Sequence, residues 1–122
     1  MNLGQQGEML VAKHYENLGF RILDRNFIFP KGKQTGELDL VALKDGELVF
    51  VEVKTRSSAK FGGPFESVDL GKQRKLVKMT KLYLQLHPEL RDKNYRIDVA
   101  AVDIDNQHEP VIILPNAVED TY

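Results

Sequence analysis

No cysteine occurs among the 122 residues. That absence excludes disulfides, thiolate nucleophiles and cysteine-type zinc sites, and it fits a cytoplasmic protein. Nor does any apolar run approach the ~20 residues that a membrane-spanning helix needs, so no membrane partner is expected. The opening stretch Met1-Asn2-Leu3-Gly4-Gln5-Gln6 has neither a basic start nor an apolar core, so no signal peptide is predicted. Repeats and low-complexity tracts are missing. A large charge imbalance is missing too: the net charge is −1, which by itself does not mark a nucleic-acid binder. What remains is a chain 42% apolar and 29% charged, long enough for one α/β domain over residues 1–122.

Residues 4–19 carry a helical stripe of Val11, Ala12, Tyr15 and Leu18, ended by Gly19. Glu8 lies three and four residues before Val11 and Ala12 and extends that inward stripe. A first-turn glutamate favoured by the helix dipole is, at this point, an equally good account of it. Phe20–Phe29 reads as a strand, followed by a Pro30 to Lys33 loop with Lys31 and Lys33. Glu37–Leu43 and Glu47–Thr55 read as two strands around Asp45-Gly46, a strong hairpin signal. Ser57–Leu70, with Gly62-Gly63-Pro64, reads as a flexible lip. Asp69 is placed to cap a helix over Gly71–Leu86 whose inward stripe is Leu76, Met79, Tyr83 and Leu86. Tyr95–Val102 and Val111–Leu114 complete the order α-β-β-β-α-β(-β), which predicts a mixed β-sheet flanked by helices.

The hairpin concentrates the chemistry. A two-residue turn at Asp45-Gly46 pairs residues whose numbers sum to 91. Val41 then faces Phe50, Asp39 faces Glu52 and Glu37 faces Lys54, all on one face; Leu38, Leu40 and Ala42 oppose Val53, Val51 and Val49 on the other. Opposed side chains stand ~4.5–5.5 Å apart at Cβ. Two carboxylates at about 5 Å repel by roughly 3 kcal/mol at an effective dielectric of ~20. A hard divalent cation, Mg²⁺ or Mn²⁺, relieves that repulsion. Lys54 points into the same cluster, where an ammonium orients an attacking water and offsets charge on a phosphate. A solvent-facing strand edge laced with weak salt bridges is the competing account.

These residues resemble a known pattern. Gly36-Glu37-Leu38-Asp39-Leu40 followed by Val51-Glu52-Val53-Lys54-Thr55-Arg56 is similar to the motif of the PD-(D/E)xK nuclease superfamily, with Glu-x-Asp in place of Pro-Asp. Gly4-x-x-Gly7-Glu8, Arg25-Asn26, Phe50 to Arg56, Lys72 and Arg96-x-Asp98-Val99 together resemble the bacterial YraN family, small proteins similar to archaeal Holliday-junction resolvases. The resemblance implies a restriction-endonuclease-like fold. It also implies metal ligation by Asp39 and Glu52 with the Val53 carbonyl as a further ligand, Lys54 as the catalytic lysine, and Glu8 reaching the metal site from the first helix.

Between Gly71 and Leu86 there are five basic residues, Lys72, Arg74, Lys75, Lys78 and Lys81, and no acidic one. They read either as phosphate contacts or as a solvated helix face. Lys72, at the helix start, is best placed to approach the site; Lys75, Arg56, Lys31 and Lys33 would extend a nucleic-acid footprint. Asp98 beside Arg96 reads as a structural ion pair. The expected activity is metal-dependent hydrolysis of DNA phosphodiesters, with branched DNA and a homodimer suggested by the resolvase likeness alone. The alternative is a non-catalytic nucleic-acid-binding or repair-partner module on a nuclease fold.

Overall fold

Asn2 starts the first helix: its side chain accepts from Gln5 N at 2.8 Å while the Gln5 side chain accepts from Asn2 N at 3.0 Å, a reciprocal cap. Helix α1 (Leu3–Asn17) thus begins and ends earlier than periodicity suggested. Gly19 follows with φ +95°, a conformation glycine adopts without strain. Leu18 lies past the last helical turn and is 51% exposed, so it is not part of the inward stripe. The computed structural model describes residues 1–29, 36–57 and 69–119. Lys31, Lys33, Gly62-Gly63-Pro64 and the rest of the 58–68 segment lie outside the described residues.

Strands β1 (Arg21–Ile28), β2 (Glu37–Lys44), β3 (Glu47–Arg56), β4 (Asn94–Asp103) and β5 (Val111–Leu114) form one sheet in that spatial order. All neighbours are antiparallel except β3 and β4, which are parallel. Helix α2 (Leu70–Leu86) makes that crossover, as parallel neighbours require. Its N-cap is Asp69, whose carboxylate accepts from Lys72 N at 2.9 Å. No helix is long and apolar enough to cross a membrane among the described residues.

Each face of the sheet is covered by one helix. Val11, Ala12 and Tyr15 of α1 pack with Leu40, Val49, Val51, Ala100 and Val102. Leu76, Val77, Met79 and Tyr83 of α2 pack with Leu38, Val41, Leu48, Phe50, Ile97 and Val99 on the opposite face. Central strands buried on both sides read as near-continuous apolar runs, which Leu48 to Val51 is. Two expected core positions move. Leu86 is 50% exposed because His87, not Leu86, stacks on Tyr83 at 4.0 Å between ring centroids. Leu38 lies on the α2 face although Leu40, two residues on, lies on the α1 face.

Asp98, fully buried in β4, is held by three donors: Tyr15 Oη at 2.7 Å, Arg96 Nε at 3.0 Å and Asn116 N at 2.8 Å. Arg96 also pairs with Glu47. Burial, then the hydrogen bond and charge of Asp98, push the Tyr15 phenol well above its ordinary range. The network ties α1, β3 and β4 to the 116 turn and acts structurally.

Candidate active site

The two-residue turn sets the hairpin register. Lys44↔Glu47 closes it, Asp45 takes φ +53°, and the ladder runs through Leu43↔Leu48, Val41↔Phe50 and Leu40↔Val51, each summing to 91. The ladder ends at Leu40↔Val51 while β3 continues along β4 as far as Arg56↔Asp103. Into this opening projects the Asp39 side chain. Its Oδ2 accepts from Val53 N at 2.8 Å, and the residue is 6% exposed.

Glu52 comes against it. Burial pushes the Asp39 carboxyl up to about 8; a hydrogen bond shared with Glu52 and the Glu52 charge push the same way, against the Val53 N–H, which favours the ionised form. Without a cation, burial and the neighbouring carboxylate thus favour the protonated form of Asp39. Such a pair of oxygens suits a hard cation, which replaces that proton and removes the repulsion at once. Among the described residues, no three His, Asp or Glu side chains are grouped as a ready-made metal cage. The protein donors present are thus the two carboxylates and the adjacent main chain at Val53.

Lys54 Nζ stands 3.4 Å from Glu52 Oε2, with side-chain exposures of 20% and 15%. This is the ion pair that forms; the hairpin register alone had set Glu37 opposite Lys54. Glu37 instead belongs to the acidic side. Partial burial, then the charges of Glu52 and Glu8, raise its pKa. The hairpin pattern gives Glu37 no role beyond facing Lys54. Its place inside a Glu-x-Asp motif was the available signal.

Glu8 reaches this cluster because α1 comes unusually near β3. A Cβ built on Gly7 would lie 1.8 Å from Thr55 Oγ1, so only glycine permits the approach. From the other side, α2 delivers Lys72. Contact with the Lys54 side chain and the Lys54 charge lower the Lys72 pKa, while Asp69 and Glu52 oppose the shift. Asp39, Glu52 and Lys54 thus meet at the open end of the hairpin, and the charges of Glu8, Glu37 and Lys72 are felt around them. Lys75 is exposed on α2. Arg56 closes β3, where its carbonyl accepts from Ile104 N at 3.0 Å.

This constellation can be set beside known sequences. Residues 7–102 match the family described as "Uncharacterised protein family UPF0102". A UPF0102 protein of Stutzerimonas stutzeri (strain A1501) is 39% identical over 116 residues, 95% of this chain and 93% of its own. One from Chlorobium chlorochromatii (strain CaD3) is 40% identical over 107 residues, 88% of this chain and 78% of its own. One from Paenarthrobacter aurescens (strain TC1) is 44% identical over 104 residues, 85% and 81% of the two chains. With the matched span running from the glycine that seats α1 through the whole of the Asp39–Glu52–Lys54 hairpin, the chain belongs to the UPF0102 family.

Proposed function

We propose that this protein is a metal-dependent endodeoxyribonuclease of the PD-(D/E)xK type, hydrolysing DNA phosphodiesters. The observation that carries the reading is the Asp39–Glu52 pair, two carboxylates close enough to share a proton, with the Lys54 ammonium 3.4 Å from Glu52. For stability alone, an apolar pair would serve better at this depth.

Asp39 and Glu52, with the Val53 carbonyl, would hold Mg²⁺ or Mn²⁺. When bound, the ion supplies Lewis-acid polarisation of the phosphate and lowers the pKa of a water. The Val53 N–H fixes the orientation of the Asp39 carboxylate. Lys54, anchored by Glu52, aims an ammonium at the same opening, where it orients the attacking water and offsets charge gathering on the phosphate. Lys72 adds a second cation beside it, and Glu8 and Glu37 border the acidic side. Lys72, Lys75 and Arg56 supply the phosphate footprint, the first two on the exposed surface of α2.

The test is incubation of the full chain with linear and branched DNA and Mg²⁺ or Mn²⁺. Cutting that disappears in Asp39→Ala and in Lys54→Ala, both still folded by circular dichroism, supports the nuclease. DNA binding that persists with no cutting under either metal would mean a binding module instead.

A further inference from the structure

Asn26, in the edge strand β1, has φ +52°. An L-residue in that left-handed region inside a strand is uncommon, and asparagine is among the few side chains that tolerate it. The ladder places it. Arg25 pairs with Leu40 and Phe27 with Leu38, so Asn26 stands across from Asp39.

Both strands change faces at this rung. On β2, Leu40 packs against α1 and Leu38 against α2. On β1, Asp24 pairs with Val41 of the α2 layer, and Phe27, three residues on, meets Tyr83 of α2 by an edge contact at 5.1 Å between ring centroids. In a regular strand, residues three apart point to opposite faces. With alternation kept, Asp39 would share the face of Val41 and be driven into the apolar layer under α2. The crossover gives that place to Leu38 and leaves Asp39 free to turn toward β3.

The geometry points to Asn26 as a positioning residue whose left-handed backbone turns β1 and β2 over together, delivering the Asp39 carboxylate to the Val53 N–H and to Glu52. The Asn26 side chain is exposed, so the required property is its backbone conformation. Outliers of this kind persist where surrounding structure holds them, and they cluster at functional sites. The functional meaning rests on the nuclease reading of Asp39; the positioning itself does not.

The test uses ¹⁵N-labelled full chain in chelator, reading the Val53 amide. Asn26→Gly, which adopts the left-handed region freely, is expected to keep the wild-type Val53 shift and protection from hydrogen exchange. Asn26→Val, which resists that region, is expected to move the Val53 resonance and speed its exchange roughly ten-fold or more, while the core amides of Phe50 and Asp98 stay unchanged. Asn26→Ala serves as the milder variant if valine does not fold. A Val53 signal that stays wild-type in the valine or alanine variant overturns the proposal, as does one lost equally in glycine. Broadening by Mn²⁺ alone at Glu52 and Val53 of the wild type reports separately on the metal reading, so its absence would sink that reading while the amide comparison still decides the role of Asn26.

Discussion

Replacing Asp39 by asparagine should stabilise the metal-free protein, and by an amount that depends on pH in a defined direction. The ordinary aspartate value is 3.8 and the folded one about 8. Between those values the folded chain keeps a proton that the unfolded chain has released. Unfolding therefore releases a proton, and stability falls as pH rises through this window. Well below 3.8 both states are protonated and the group contributes nothing. At ~1.4 kcal/mol per decade, the interval caps the wild-type penalty above pH 8 at about 6 kcal/mol. Local relaxation and water entry reduce that, so a gain of about 2–4 kcal/mol at pH 8.5 is expected. Asparagine keeps an oxygen for the Val53 N–H and offers Glu52 a donor in place of the shared proton. At pH 5, only about one unit past the ordinary aspartate value, the gain should shrink to about 1–2 kcal/mol. Urea unfolding in EDTA at pH 5, 6.5 and 8.5 gives the three differences directly. A difference that is flat across that range, or a variant less stable at pH 8.5, would refute close opposition of the two carboxylates.

Glu52→Gln should likewise raise the melting temperature in chelator, since it too removes one charge of the pair; an unchanged or lower value counts against the pairing. Gly7→Ala should lose about 1–3 kcal/mol in denaturant unfolding because its Cβ meets Thr55, and Thr55→Ala in the same chain should return part of it; a harmless single variant would mean that α1 does not sit this close to β3. Tyr15→Phe removes one of three donors to buried Asp98 and should cost about 1–2 kcal/mol by the same measurement, whereas Asp98→Ala, which strands Arg96 and the Asn116 N–H, should cost about 3–5 kcal/mol. Lys72→Glu with Lys75→Glu should weaken DNA turnover strongly and hydrolysis of a small phosphodiester little; equal losses would place Lys72 in the chemistry rather than in the footprint.

The hairpin was legible because two independent constraints agree. An Asp-Gly turn of two residues fixes which numbers pair, and period-two apolar residues fix which way they face. Asp69 was legible for a similar reason: a short acidic side chain before a helical stripe has few other uses. What escaped the pattern was local and conformational. At the rung of left-handed Asn26 the strands change faces, putting Leu38 and Phe27 on the α2 side, and asparagine alone does not announce whether it will take that conformation. Leu18 and Leu86 escaped because helical periodicity does not say which turn is the last. The Tyr15–Asp98 bond escaped because it joins residues 83 apart.

Patterning also flags two buried aspartates as exceptions, and the structure separates them by how their hydrogen-bonding capacity is met. Asp98 accepts from a phenol, a guanidinium and a main-chain amide, so its charge is answered entirely by the protein's own donors. Asp39 accepts from one main-chain amide and otherwise faces another carboxylate. Both break the rule that acids stay out of the interior, but the first is compensated in place and the second only by a proton or a cation from outside. A buried acid whose missing partner must be imported marks a site prepared for a ligand. That asymmetry, more than the motif spacing, is why the nuclease proposal rests on Asp39 and not on Asp98.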